Sequence, residues 1–425
     1  MMGGMGGGVG VMEPNVARGL SLRTFESLKN KGYRIFWFSM MAQMAAMNMQ
    51  MVVQSLLVYE ITGSAKWLGA VALASALPML IFSLYGGVMA DRVQKKYVLV
   101  VGQAALFVTT MVVALIIGFG AITGAILLVA AAVQGFVWAL VMPSRQSLVR
   151  ELVDREGLMN ALSLNMAGMN INRLLAPVLG GVLVELTGGV GASAYALPYV
   201  AMALLMLVAT VITLFIPKTG MVAIRGAGTL AEIGAGLKYV RQNPTLLALL
   251  FVTLVGVVLS MPYMSLLPVF TKDVWGVGPG AFGVLMSVSG IGAIAGSLVL
   301  ASLGNKKRGI IYLGGMLLTG ISLTLLAFSP SYQMALVVIV LVGVAQTTRM
   351  TLSNTLVMYY TDEEYQGRVM SIYMMEFGLT SFATFAVALL VEPIGVQWAV
   401  GGCAIALAVL AALAFFAVPR LRRLD

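Results

Sequence analysis

Charge is scarce in this chain. Asp, Glu, Lys and Arg supply 10% of its 425 residues, against about a quarter in a soluble domain. So few ionic groups cannot build a water-facing surface, and most of the exterior must face something apolar. Histidine is absent, which removes the commonest metal ligand and the side chain best suited to proton transfer near neutral pH. The single cysteine, Cys403, stands in an apolar run. It excludes an intrachain disulfide and a cysteine-rich metal site, and it says nothing of redox compartment. No G-x-x-x-x-G-K-[ST] stretch occurs, so there is no recognisable phosphate loop for ATP. Any active transport would draw on an ion gradient. No cluster of histidine, cysteine or paired carboxylates shares one apolar run, so an enzymatic reading lacks its chemistry. No metal or cofactor is expected.

What fills the sequence is apolar: 60% hydrophobic residues and a mean hydropathy of +0.98. A bilayer crossing needs about 20 mostly apolar residues. Twelve runs qualify, near 35–59, 66–89, 97–119, 122–142, 158–187, 192–216, 245–271, 280–303, 309–329, 333–358, 369–391 and 397–418. The fold class is therefore an all-α integral membrane protein. Several runs exceed a single crossing, which implies tilt or ends beyond the bilayer. The glycine-rich opening lacks the basic start and short apolar core of a signal peptide, and residues 1 to 17 are expected to form a disordered tail. Residues 19–33 carry Leu20, Leu22, Phe25 and Leu28 among basic residues, as a helix lying on the membrane surface would.

Charge placement orients the spans. With twelve crossings both termini share one side. Lys66 and Lys272 fall on the other side, Arg173 and Arg349 fall inside spans, and the remaining basic residues lie with the termini. This positive-inside bias predicts a multi-pass protein of the cytoplasmic membrane with both termini cytoplasmic. The net charge of +10 is then a topology signal, and nucleic-acid binding is not needed to explain it.

The chain also reads as two related halves. Gly69 and Gly283, Lys95 and Lys306, and Asp154 and Asp362 sit at matching places after or within spans, at separations of 214, 211 and 208 residues. Two parallel six-span repeats place a substrate site at their interface near the bilayer midplane. The predicted organisation is a tail and surface helix over 1–32, a six-helix bundle over 33–217, a linker over 218–243 and a second bundle over 244–425 with a short basic tail. In the linker Thr229-Leu230-Ala231-Glu232 has capping-box spacing, and Leu230, Ile233, Leu237 and Val240 recur at helical spacing, as in an amphipathic helix parallel to the membrane.

Between spans two and three stands Gly87-Val88-Met89-Ala90-Asp91-Arg92-Val93-Gln94-Lys95-Lys96. It resembles the G-x-x-x-D-R-x-G-R/K-R/K loop of the major facilitator superfamily, with Gln94 in place of a glycine. The resemblance implies that Gly87, Asp91, Arg92, Lys95 and Lys96 form a conformational gate on the cytoplasmic side. Val58-Tyr59-Glu60-Ile61-Thr62-Gly63-Ser64, Pro143-Ser144-Arg145, Leu152-Val153-Asp154 and Gly367-Arg368-Val369-Met370-Ser371 are similar to the exporter subgroup that includes enterobactin exporters and macrolide-efflux proteins. Ala176-Pro177-Val178-Leu179-Gly180-Gly181 resembles the G-P-x-x-G-G motif of antiporters in that superfamily, with Ala176 replacing the first glycine. Pro177, Gly180 and Gly181 are its matching positions. Gln134-Gly135 matches the end of the superfamily's R-x-x-Q-G pattern, but Ala131 stands where the arginine often assigned to proton coupling would be.

Coupling must then use other groups. Ionisable residues inside spans are costly and usually functional, which singles out Glu376, Arg173 and Arg349. Glu376 is the candidate proton carrier, or else the fixed partner of an intramembrane arginine. On span one Gln43, Gln50 and Gln54 share a helical face with Met40, Met44, Met47 and Met51, and a pliable methionine face suits varied amphipathic ligands. With Gln134 and Tyr263 they are the candidate cavity residues, although the same face could as well pack against lipid or neighbouring helices. The sequence reading is a proton-coupled exporter of a hydrophobic or amphipathic small molecule, such as a drug or siderophore, working as a monomer by alternating access. Lipid or lysolipid flipping, proton-coupled uptake and a structural membrane partner are the alternatives.

Overall fold

Inside a bilayer no water satisfies backbone N–H and C=O groups, so each segment must satisfy its own, and a helix does so. In the computed structural model the described residues form helices and no strand. The structure describes residues 23–92, 94–217, 229–303, 307–422 and 424, with side chains outside 23–24, 83–92, 150, 155–156, 229–233 and 377. The tail expected over residues 1–17 and the part of the linker ahead of Thr229, residues 218–228, lie outside the described residues.

The helices are α1 (Lys31–Thr62), α2 (Ala65–Arg92), α3 (Lys95–Gly118), α4 (Gly124–Leu152), α5 (Arg155–Leu186), α6 (Ala196–Leu214), α7 (Thr229–Gln242), α8 (Pro244–Ser260), α9 (Pro262–Val269), α10 (Pro279–Ser302), α11 (Arg308–Ala327), α12 (Tyr332–Tyr359) and α13 (Gln366–Ala417). Local chemistry marks their ends. Asn30 caps α1 by accepting from the Tyr33 N–H at 3.1 Å, and Gly63 ends it in the left-handed region at φ 60°, where a side chain would be strained. Asn243 caps α8 ahead of Pro244, which has no N–H to leave unsatisfied at that position.

Ten stretches of the described helices are long and apolar enough to cross a membrane. α1 adds a crossing of similar length, diluted by Gln43, Asn48, Gln50 and Gln54. α13 runs for 52 residues but breaks helical geometry at Gly395 (φ 79°), just after Pro393, so it supplies two crossings. The total is the twelve expected. The seventh crossing is less regular than its sequence suggests: Pro262 and Pro268 interrupt it, and it closes in a π-helical turn over Phe270–Val274.

Six crossings pack as a first bundle, with α2 on α4, α3 on α6, and α1 on α5 and α6. The second bundle packs α10 on α12 and α11 on α12 and α13. Two seams join them, α5 with α10 and α2 with α13. Both ends of the described chain dock on the same face. A 3₁₀ turn over Arg23–Lys29 is what is described of the expected surface helix, and its Ser27 N–H donates to Asn160 at 3.0 Å. At the other end the Gly309 N–H donates to the Leu424 carbonyl at 2.9 Å. This is the near face, and its opposite is the distal face. α7 lies at the near face against the start of α13: Tyr239 stacks on Tyr365 at 4.3 Å, and Arg368 covers the Tyr365 ring at 5.2 Å.

Candidate functional site

The two halves meet most closely toward the distal face. On α5, a Cβ at Gly181 would sit 2.5 Å from the Pro279 carbonyl oxygen of α10. In return, a Cβ at Gly283 would sit 2.5 Å from the Pro177 carbonyl oxygen. Neither position tolerates a side chain at this separation, so backbone meets backbone across the seam. Pro177 and Gly181 thus share one crossing, while Gly180 faces Val53 and Met49 of α1 within the first bundle. The Ser287 hydroxyl of α10 donates to the Leu174 carbonyl of α5. On the other seam Gly69 packs against Phe385 and Ala388.

Polar side chains latch the same end. The Tyr59 hydroxyl at the end of α1 donates to the Asp273 carboxylate in the π-turn. Lys272 pairs with Glu60 at 2.7 Å, and Lys66 with Glu392 at 2.5 Å. The Ser64 hydroxyl also donates to Glu392, at 3.2 Å. Each pair joins one half to the other. Burial alone would raise the Glu60 carboxyl, which lies beyond the apolar stretch of α1, but the Lys272 ammonium and the Gly191 N–H outweigh it and hold it below the usual carboxylate range. Lys66 does the same for Glu392.

The second bundle has a charged interior. Arg349 of α12 is 0% exposed and makes one hydrogen bond, from Nη2 to the Ser260 hydroxyl at 3.3 Å. Its Nε and Nη1 have no partner among the described residues, and neither do Nε2 of Gln346, one turn away, or Oε2 of Glu376. Glu376 of α13 is 5% exposed, close enough for its charge to act on Arg349 without a direct ion pair. Tyr312, which bonds Thr253 at 2.8 Å, and Tyr373, which bonds Ser353 at 2.9 Å, surround the pair. Tyr263 lies beside Ser289 and within electrostatic reach of both Arg349 and Arg173. The structure therefore brings Glu376, Arg349 and Tyr263 together, and the exposed Arg173 reaches the group from α5 of the other half.

The first bundle has a neutral polar cluster between α1, α3 and α6. Gln103 of α3 donates to Ser39 at 3.2 Å and to the Gln43 carbonyl at 3.3 Å, and accepts from Thr213 at 2.8 Å. Gln43, a candidate cavity residue, therefore lies against Gln103 in this form. Its side chain is 0% exposed and turned into the bundle between α1, α3 and α6, because the amide of Gln103 offers a better partner than an apolar wall. Gln50 and Gln134 are buried and Gln54 half-buried, so the three span-one glutamines do not act as one surface.

At the near face Lys95 is buried in an ion pair with Glu151 at the end of α4, a contact within the first half. Lys96 is half-buried. Gly87 lies in the last turns of α2, and the side chains of Asp91 and Arg92 lie outside the described residues. Arg145 stands in one of the exporter-like motifs, but the sequence assigns it no site role. It is 8% exposed, and its guanidinium meets the sulfurs of Met142 (3.0 Å) and Met44 (3.6 Å) and the ring of Trp138 (5.8 Å). Tyr59 and Glu60 likewise enter the sequence reading only as part of a motif, and Asp273 not at all. The signal available for them was the adjacent Lys272-Asp273, an ionic pair in a far-side loop otherwise short of charge.

The family model described as transmembrane secretion effector matches residues 22–425. A multidrug efflux pump, Tap, of Mycolicibacterium fortuitum is 27% identical over 87% of this chain and 91% of its own length. A staphyloferrin A transporter of Staphylococcus aureus is 24% identical over 78% of this chain and 83% of its own. Among solved structures, a POT family transporter in complex with a thioalcohol-conjugated peptide superposes with a TM-score of 0.75 at 12% identity, covering 94% of this chain and 99% of that one.

Proposed function

We propose that this chain, which belongs to the transmembrane secretion effector family of major facilitator transporters, exports a hydrophobic or amphipathic small molecule, a drug or siderophore, in exchange for protons. The efflux-pump and siderophore-transporter relatives support the export reading. The observation that carries the coupling is the interior of the second bundle, where Glu376 and Arg349 are both buried and both retain unpartnered polar atoms. Burying unpaired charge is expensive, so a proton on Glu376 lowers the cost of the carboxylate, and its loss restores the charge that offsets Arg349. The two protonation states therefore favour different packings of α12 against α13, and that difference is what a gradient can drive.

In this reading the near face is cytoplasmic, and the distal contacts mark the form that loads substrate from the cytoplasm. The chain works as a monomer. Pro177 and Gly181 set the distance at which the halves close, Lys95 holds the near-face loop to α4, and Gln50, Gln54, Gln134 and Tyr263 lie along the route between the halves. Arg173, presented by the first half toward Tyr263, completes the electrostatic link between them.

The test is transport by the purified chain in proteoliposomes with an imposed pH gradient, offered a panel of amphipathic drugs and siderophores. Glu376→Gln is expected to abolish gradient-driven accumulation while leaving exchange down a substrate gradient. Full gradient-driven export by that variant would refute the proton role.

A further inference from the structure

The distal face holds a cavity of about 410 Å³ that includes none of the interior groups described above. Both halves wall it: Tyr59 and Ser64 from the first, and Asp273, Glu392 and Trp398 from the second. The rest of the wall is largely aliphatic, and no lysine or arginine lines it. Its volume is that of a small-ligand site, and its wall mixes polar and apolar groups.

Trp398 is 60% exposed at the mouth of the cavity. Its ring is nevertheless fixed, because Phe328 meets it edge-on at 5.1 Å. A fixed indole beside carboxylates suits an organic ammonium, since the ring attracts a cation through its quadrupole. The carboxylates have partners, but replaceable ones. Tyr59 is a neutral donor and leaves Asp273 its full charge. Lys66 and Glu392 are each about half exposed, and exposed pairs of this kind exchange at little cost.

We infer that this vestibule is a second ligand site, for an organic cation with an apolar body, distinct from the transport route. Its walls belong to opposite halves, so a ligand touching both binds only while the distal end is closed. Occupation therefore stabilises the closed form by mass action. On the orientation proposed above, the site takes its cation from outside the cell and slows the cycle when that cation accumulates.

The experiment is direct binding to the purified full-length chain without any gradient, using benzyltrimethylammonium as probe and benzyl alcohol as the uncharged control. Calorimetry reports affinity and a thermal melt reports stabilisation. Saturable binding of the cation with a rising melting temperature is expected, and the control should give neither. Asp273→Asn and Glu392→Gln are each expected to weaken binding about threefold to fivefold, and Trp398→Ala by a similar factor. Trp398→Phe should retain most of the affinity and shows that the Ala effect is not a folding defect. Equal signals from the cation and benzyl alcohol would reduce the cavity to an apolar adsorption surface. Unchanged affinity in the charge and tryptophan variants would place the cation elsewhere. Neither outcome bears on coupling at Glu376, so this site and the transport reading fail separately.

Discussion

Tyr59→Phe combined with Lys272→Gln should unlatch the distal end. The Tyr59–Asp273 bond is charge-assisted but lies at an exposed carboxylate, where water competes, so it contributes about 1–1.5 kcal/mol to closure, the upper part of the range for ordinary hydrogen bonds. Lys272 is about half exposed and Glu60 more protected, which places their pair at about 0.5–1 kcal/mol. Together they account for about 1.5–2.5 kcal/mol, and at 1.4 kcal/mol per decade the open fraction should rise by about 12- to 60-fold. A Ser287→Cys substitution reads this out, because that side chain is buried against Leu174 of the opposite half when the seam is closed. Cys403→Ser is made first, so that the introduced thiol is the single one in the chain. Its reaction rate with a membrane-impermeant maleimide should be low in the parent and should climb by the stated factor in the double variant. An unchanged rate, in a variant with unaltered chromatographic behaviour and melting temperature, would refute the argument that these contacts hold the halves together.

Further expectations follow from the same geometry. Glu60 and Glu392 are held below the usual carboxylate range by their lysines, so their contribution to closure is present above about pH 4.3 and is lost as pH falls through the lowered value. With Glu376→Gln added to silence the proposed coupling group, maleimide labelling of the Ser287→Cys reporter should be flat from about pH 8 to 5, once corrected for the thiol's own ionisation, and rise only below about 4; a transition near pH 7 in that background would contradict the assignment. Gln103→Leu strips Gln43, Ser39 and Thr213 of a shared partner, which should cost about 1–2 kcal/mol, seen as a lower melting temperature with the transport direction unchanged. Gly181→Val forces a side chain against the Pro279 carbonyl. It should raise labelling of the same reporter even with Tyr59 and Lys272 intact, and labelling at the parent's rate would show that the seam absorbs the added bulk.

Apolar run length made the twelve crossings legible, because a bilayer tests little else. The exceptions are instructive. α1 carries amides that lower its hydropathy, and Gln43 and Asn48 are spent on bonds inside the first bundle, so composition understates how well the helix suits the membrane. The helical spacing of Gln43, Gln50 and Gln54 said that they lie on related positions. It did not say where that side points, since periodicity fixes a face and not its neighbour. Pro177 and Gly181 stood out in the sequence as a small-residue motif, while their counterpart Gly283 is 106 residues from Pro177 and only the folded seam pairs them. The Tyr59–Asp273 and Glu60–Lys272 contacts span still longer separations. Glu376 and Arg349 were visible as ionisable groups in apolar runs. That each is left short of partners is a property of packing, which no local pattern encodes.

The contrast between the two interiors has a mechanical consequence. The amide and hydroxyl cluster of Gln43, Gln103, Ser39 and Thr213 contains nothing that gains or loses a proton at any pH a cell meets. In the proposed cycle that cluster keeps one shape while the cluster around Glu376 and Arg349 changes its charge. On that proposal the core of α1, α3 and α6 would be the stator of the machine and the second bundle its rotor, with the glycine-lined seam between α5 and α10 as the bearing on which one turns against the other.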